Sequence, residues 1–127
     1  MTTPVFLLMS GQANAQTWDG SANSSYGNAA NWDTNTVPGP GTTATFDDTG
    51  AAQSTVDLGG VTYAVDGWVF NGNTGYSMEN GTVNFLTAAG LTHNSTGGTG
   101  ISANITGIGS VTQNGTATLF LLGQQYL

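Results

Sequence analysis

The sequence predicts an all-β protein, and three of its features lead to that prediction. Short runs rich in Val, Ile, Thr, Phe and Tyr alternate apolar and polar residues with a period of two, which is typical of half-buried strands. Pairs of Gly, or of Asn or Asp followed by Gly, separate the runs and favour turns, because these residues tolerate positive φ. A convincing helical spacing of apolar residues is found nowhere.

The alternation predicts where the strands lie and which side chains they bury. The predicted strands lie at residues 43–46, 54–58, 61–65, 67–70, 76–78, 82–86, 101–105, 110–112 and 116–122. Within each strand, alternate residues face the same side of the sheet. The residues expected in the core are Phe46, Val56, Leu58, Val69, Met78, Val83, Phe85, Ile101, Ile105, Val111, Leu119 and Leu121.

Short strands with frequent turns fit two architectures. Hairpins would build a sandwich or barrel, with Asn80-Gly81 and Asn114-Gly115 as tight two-residue loops. A β-solenoid would instead coil the chain, so that each strand pairs with the strand one coil above it.

Three stretches share a further pattern. "TWDGSANSSYGNAANWDTNTVPGPGTTATFDDT" has a Trp-Asp start, an Asn-Trp pair and a Val-Pro turn before a strand ending in Phe. "STVDLGGVTYAVDGWVFNGNTGYSMENGTVNFL" has a Val-x-Leu strand, a Gly pair and a strand ending in Val-Phe, and "GIGSVTQNGTATLFLLG" follows it. Together these stretches resemble the autotransporter-associated β-strand repeats of bacterial autotransporter passenger regions.

That resemblance covers residues 18–127 and implies a parallel β-solenoid, or right-handed β-helix. About 110 residues at roughly 20–25 per coil would give about five coils. Two departures from the family pattern matter. Gln113 stands where Lys is common, and the sequence contains no C-terminal membrane barrel of the kind that autotransporters use for secretion.

Composition limits the partners. The 127 residues are enough for one domain, and they include seven acids and no Lys or Arg, for a net charge of −7. Because basic side chains supply the attraction to phosphate backbones, no nucleic acid is expected as a partner. The chain has no Cys and therefore no disulfide or thiolate metal site.

The N-terminal residues indicate export. Ala13-Asn14-Ala15 has the small-x-small form of a signal-peptidase site, but only five apolar residues, 5–9, precede it, and no basic residue does. Residues 1–15 are therefore either a signal-peptide remnant or an extra strand, and residues 16–127 form one solenoid domain. An extracellular or cell-surface location after export across the bacterial inner membrane is expected. No segment has the length of a membrane span.

Catalytic candidates are few, and we expect no enzyme, no cofactor and no metal. Asp47, Asp48 and Asp57 are the residue types that calcium binding or glycoside hydrolysis needs, but Asp-Asp-Thr-Gly is also typical of a turn and nothing places a second acid opposite. His93 is the one candidate base near neutral pH, and "LTHNST" favours an exposed loop position.

Surface recognition is the remaining class of site. The three Trp residues could stack on sugar rings of a carbohydrate or host-surface ligand, but packing is favoured, with Trp18 and Trp32 as a cap over the first coil. Asn-x-Ser/Thr sequons for glycosylation occur at Asn23, Asn80, Asn94, Asn104 and Asn114.

Two apolar segments make self-association the leading functional hypothesis. A solenoid coil buries its apolar side chains only against adjacent coils, so an uncovered end leaves strand edges open to another copy. The residues expected there are Val5, Phe6, Leu7, Leu8, Leu119, Phe120, Leu121 and Leu122. The sequence thus predicts either an extracellular structural subunit that assembles into a fibre or surface matrix as a homopolymer, or a fragment of an autotransporter passenger that acts as an adhesin.

Overall fold

Parallel pairing between segments one coil apart organises the fold. A computed structural model describes residues 14–126 as eleven strands. They are β1 (Asn14–Thr17), β2 (Thr42–Phe46), β3 (Thr55–Asp57), β4 (Thr62–Phe70), β5 (Ser77–Glu79), β6 (Thr82–His93), β7 (Thr99–Ile101), β8 (Asn104–Gly107), β9 (Val111–Gln113), β10 (Leu119–Leu121) and β11 (Gln125–Tyr126).

The strands stack into three faces around one core. The first face contains β1, β2, residues 67–70 of β4, residues 90–93 of β6, and β9. The second contains β3, β5, β7 and β10. The third contains residues 62–65 of β4, residues 82–85 of β6, β8 and β11. One strand from each face makes a coil, and the chain forms a β-solenoid of about four turns.

Paired residues are about one coil apart in sequence, as predicted for a solenoid. Thr62 pairs with Thr82 and Val83 pairs with Ile105, which are 20 and 22 residues further along the chain. The hairpin alternative is wrong at the Asn80-Gly81 position. Asn80 does adopt a positive φ of 60°, but β5 and β6 on either side of it pair with other coils and not with each other.

Inward residues of successive coils align in columns that form the core. One column on the second face runs through Val56, Met78, Ile101 and Leu121. Most of the predicted core is confirmed as buried: Phe46, Val56, Leu58, Met78, Val83, Phe85, Ile101 and Ile105. Leu119 and Leu121 are half-buried because no coil covers them within the described residues.

Two core predictions are wrong. Val69 lies on the outer side of the first face, because its neighbours Trp68 and Phe70 both point inward and are fully buried. Val111 occupies the inward column after Leu91, but it belongs to the last coil and remains 37% exposed. The predicted strand phase is therefore wrong at Val69, whereas Val111 is exposed by its position in the stack.

An aromatic cap covers the N-terminal end of the described solenoid. Trp18 and Trp32 form an isolated antiparallel bridge, and both rings are buried against Phe46. Tyr26 lies beside them, where burial raises the pKa of its phenol. The Trp18 indole donates to the Gln53 carbonyl and the Trp32 indole donates to the Tyr26 carbonyl, both at 2.8 Å. The predicted role of Trp18 and Trp32 as a cap is confirmed.

Two short 3-10 helices, Ala29–Asn31 and Asp48–Gln53, complete the described structure. The first lies within the aromatic cap, and the second follows β2. Among residues 14–126, no helix has the length and apolar character needed to cross a membrane.

Candidate functional site

The last coil presents open strand edges. β9, β10 and β11 each pair only with the preceding coil, through β6, β7 and β8 respectively. The opposite edge of each strand has no partner among residues 14–126. Because an unpaired edge carries free backbone donors and acceptors, this end of the described solenoid is a template for another strand.

β10 combines an open edge with apolar side chains on both sides. Leu119 and Leu121 point inward and pack against the core, although they are only half-buried. Phe120 points outward and is 54% exposed, and Leu122, which follows the strand, is 70% exposed. The structure therefore brings the four C-terminal residues of the predicted self-association set together on one edge. Val5, Phe6, Leu7 and Leu8 lie outside the described residues.

One outward column on the second face and one on the third gain a large apolar side chain only in the last coil. Phe120 follows Thr55, Ser77 and Gly100 in its column. On the third face, Tyr126 follows Ala64, Asn84 and Thr106. A polar outer cap would show the opposite trend. The outer side of the last coil is instead suited to an apolar partner.

Two inward columns change in the opposite direction. On the first face, Phe46 and Phe70 are followed by His93 and then by Gln113. On the third face, Gln125 follows Tyr63, Val83 and Ile105. The last coil therefore combines two amides with apolar side chains at its inward positions, and Phe120 and Tyr126 point outward.

His93 is fully buried at the end of β6, so the prediction of an exposed loop position is wrong. Its Nδ1 lies 2.7 Å from Gln113 Oε1, its Nε2 lies 3.1 Å from Thr99 Oγ1, and its ring packs against Phe70. The polar residues that follow His93 in "LTHNST" favour a loop, and its inward position follows only from the column that it shares with Phe70. The column becomes visible only when residues 20–24 apart are aligned.

A ladder of side-chain amides follows the first face. Asn94 Nδ2 donates to Asn71 Oδ1 at 2.9 Å, and Asn114 Nδ2 donates to Asn94 Oδ1 at 3.0 Å. Two of the five predicted sequons therefore have the nitrogen that would carry a glycan engaged in a hydrogen bond. Asn80 Nδ2 is likewise bonded, to Asp57 Oδ1. Asn23 is exposed and Asn104 half-buried, and the Oδ1 atoms of both accept hydrogen bonds.

The carboxylates considered for calcium or hydrolysis serve as acceptors within loops. The Thr74 hydroxyl and the Asn73 backbone N–H lower the pKa of Asp48. The Gly59 backbone N–H and the Asn80 amide lower the pKa of Asp57. Asp47 accepts from the Thr49 backbone N–H. Residues 14–126 contain no group of three or more His, Asp or Glu side chains arranged for a metal ion.

The three Trp rings are not arranged for sugar stacking. Trp18, Trp32 and Trp68 are at most 1% exposed, so no ring face is available to a sugar. Among the described residues, the structure also contains no pocket. The open last coil is therefore the candidate site that residues 14–126 present.

Comparison of the chain with protein families, with curated proteins and with solved structures finds no match.

Proposed function

We propose that this chain is an extracellular structural subunit that assembles head to tail into a fibre or surface matrix. The observation that carries the proposal is the open edge of β10, with apolar side chains on both sides of the strand. Its occupant is the apolar segment at residues 5–8 of a second copy. That segment extends the second face by one strand, in the manner of β-strand addition.

The two segments match residue by residue. Val5-Phe6-Leu7-Leu8 repeats the pattern of Leu119-Phe120-Leu121-Leu122. In a parallel pairing with the same phase, Val5 and Leu7 continue the inward columns that end at Leu119 and Leu121. Phe6 is then placed beside Phe120, and an aromatic cross-strand pair of this kind is stabilising. This pairing accounts for the apolar outward residue at Phe120, where earlier coils have Thr, Ser and Gly.

The donor and the acceptor must come from different copies. Asn14 lies in β1, which is four rungs from β9 on the first face, and a strand added to β10 would lie one rung beyond the last coil. Five rungs at about 4.7–4.9 Å span about 24 Å. The six residues from Leu8 to Asn14 reach at most about 20–22 Å when fully extended. Residues 5–8 therefore cannot reach the open edge of β10 in their own copy.

The symmetry of such a contact gives an open filament. The donor segment and the acceptor edge are different surfaces, and a contact between unlike surfaces that does not close into a ring propagates. If each junction buries several hundred Å² of apolar surface, the gross gain is on the order of 10 kcal/mol at about 25 cal/mol per Å². Association costs roughly 4–15 kcal/mol, so the backbone hydrogen bonds of the added strand decide the balance.

Export is supported by Ala13-Asn14-Ala15 and by the resemblance to autotransporter passenger repeats. Cleavage after Ala15 would remove the donor segment. The proposal therefore requires that residues 5–8 stay in the mature chain as an apolar strand. An intact-mass measurement of the exported protein checks this requirement directly.

Sedimentation velocity and negative-stain imaging of the full-length chain over a range of concentrations test the proposal. We expect particles that grow with concentration. Leu7→Lys should reduce them to monomers, because in the proposed pairing Leu7 continues the inward column of Leu121 and a charge there would be buried without a partner. Ile108→Lys is the matched control, since Ile108 is 73% exposed at a corner away from β10 and should still assemble. A native chain that stays monomeric at high concentration would overturn the proposal and favour the adhesin fragment.

A further inference from the structure

We propose that the junction between two copies extends beyond β10, so that residues 9–13 of the incoming copy cover β11 and lead its β1 back onto the first face. This inference rests on the proposed function and deepens it, because it names the rest of the surface that a second copy of this chain would contact. It follows from the number of residues between Leu7 and Gln16, which matches the spacing of the inward columns.

The edge of β11 is open in the same way as the edge of β10. β11 pairs with β8, and its opposite edge has no partner among the described residues. Tyr126 in this strand points outward and is exposed. A donor segment that ended at Leu8 would cover β10 and leave the neighbouring edge of β11 free. An open edge of this kind favours pairing with a further strand.

The corner between the second face and the third face has the same length in the last two coils. Ile105 follows Ile101 by four residues, and both are inward and buried on their own faces. The last coil repeats this step between β10 and β11. Because Leu7 continues the column of Leu121, the residue four positions later is Gly11. Gly11 therefore falls in the column that ends at the inward residue of β11.

The connection from the third face to the first face completes the match. Inward residues on a strand are two apart, so Ala13 takes the second inward position of the third face. In β4, Trp68 follows Val65 by three residues across the corner between these two faces, and both are buried. Three residues after Ala13 is Gln16, which lies in the first-face column of Trp68. Residues 7–16 therefore span both corners with no residue to spare.

One rung of the first face remains between the two copies, and the cap of the incoming copy fills it. The chain rises by one rung per coil, so β1 of the incoming copy lies two rungs beyond β9 of the accepting copy. Trp32 forms a bridge with Trp18, and the Asp33 N–H donates to the Thr17 carbonyl at 2.9 Å, on the edge of β1 opposite to β2. Residues 32–33 occupy the intervening rung, and the cap does not collide with β9.

Introduced cysteine pairs test this register, because the native chain contains no Cys. Gln12 and Tyr126 would be outward neighbours on adjacent strands, with Cα atoms about 4.8 Å apart. This distance is within the range of a disulfide. A chain with Gln12→Cys and Tyr126→Cys should therefore form a series of covalent oligomers after mild oxidation, resolved by denaturing electrophoresis without reductant. Gln12 cannot reach Tyr126 of its own copy, because the two residues from Gln12 to Asn14 span at most about 7 Å.

Two further pairs are the controls. Phe6→Cys with Phe120→Cys reports strand addition to β10 alone. Gln12→Cys with Thr106→Cys is the matched control, because Thr106 lies in the same outward column as Tyr126 but one rung further from the incoming copy. The Cα distance is then about 10 Å, which is too long for a disulfide. This pair should give no oligomers beyond the dimers that a chain with one Cys forms.

The outcomes separate this inference from the proposed function. Covalent oligomers from the Phe6–Phe120 pair and from the Gln12–Tyr126 pair, with none from the Gln12–Thr106 pair, would support the longer junction. Oligomers from the Phe6–Phe120 pair alone would overturn it and leave strand addition to β10 intact. Equal yields from the two pairs that contain Gln12 would overturn the register. A native chain that stays monomeric, with no oligomers from any pair, would overturn both proposals.

Discussion

The rings of Phe46 and Phe70 are stacked, with centroids 4.9 Å apart and planes inclined by 17°, although the residues are separated by a full coil of chain. Each occupies the same inward position on consecutive strands of the first face. Trp68 and Tyr76 pack against them edge-on or tilted. This stack connects the aromatic cap to the coils that follow, and the His93 ring packs against Phe70.

Truncation of Phe70 should therefore be far more costly than truncation of its neighbour. Phe70→Ala removes a fully buried ring between Phe46 and His93, and we expect it to lower the free energy of unfolding by about 3–5 kcal/mol. Val69→Ala is the matched control and should change it by about 1 kcal/mol or less, because Val69 faces outward and is half-buried. Chemical denaturation measures both. Equal losses of unfolding free energy in the two variants would contradict the assignment of Phe70 as inward and Val69 as outward.

The strand phase is only partly predictable from sequence. Alternation identifies the inward apolar residues of β2, β3 and β5 correctly, because apolar and polar residues alternate in each of these strands. Ile101 and Ile105 are both buried as predicted, but they lie in β7 and β8 on different faces and not in one strand at residues 101–105. In "GWVF" three large apolar residues are adjacent, so a period of two permits either phase. The ring stack selects Trp68 and Phe70, and such cross-coil contacts cannot be read from one strand alone.

The N-terminal cap depends on one buried amide. Asn31 Oδ1 accepts from the backbone N–H groups of Ala22 and Asn23, and its Nδ2 donates to Asn23 Oδ1 and the Ser25 carbonyl. Because Asn31→Ala leaves these groups without their partner, we expect a loss of about 1–3 kcal/mol in the free energy of unfolding.

Asn73→Ala is the comparison for that substitution. Asn73 is exposed, and its Oδ1 accepts one bond from the exposed Thr96 hydroxyl, so its truncation should cost no more than about 0.5 kcal/mol. Thermal denaturation compares each variant with the native chain. An Asn31 variant that is no less stable than the Asn73 variant would contradict the role of the buried amide in the cap.

Asp48 should make a contribution to stability that is lost in acid. The Thr74 hydroxyl and the Asn73 N–H lower the pKa of Asp48 in the folded state. A carboxyl with a depressed pKa contributes stability that is present above its unfolded pKa of about 3.9 and is lost as pH falls through the folded value. Thr74→Val removes the larger cause, so the native chain should lose more stability than this variant below about pH 4.

The comparison between native chain and variant is needed because the chain carries a net charge of −7, and protonation of its other acids relieves repulsion in both proteins. Urea denaturation between about pH 6 and about pH 2 gives the difference between the two stability curves. If the two stability curves stay parallel across that interval, the Thr74 hydroxyl does not stabilise the ionised form of Asp48.

The candidate site is predictable from sequence in position but not in detail. The apolar run at residues 119–122 predicts a strand there, and these residues belong to the predicted self-association set. The outward setting of Phe120 and the burial of His93 do not follow from it, because both depend on which residues share a column. The residues of a column can be aligned only if the number of residues per coil is known, and this number varies. Thr62 pairs with Thr82, whereas Gly67 pairs with Gly90 after an irregularity between Val65 and Gly67.

Mixing two blocked chains tests head-to-tail assembly most directly. Leu121→Lys blocks the acceptor edge and leaves residues 5–8 free to donate, whereas Leu7→Lys blocks the donor and leaves β10 open. Each variant alone should sediment as a monomer, because a junction needs one intact surface of each kind. An equimolar mixture should give a one-to-one dimer that grows no further. Filaments formed by either variant alone, or a mixture that remains monomeric while the native chain assembles, would contradict donation of residues 5–8 to β10.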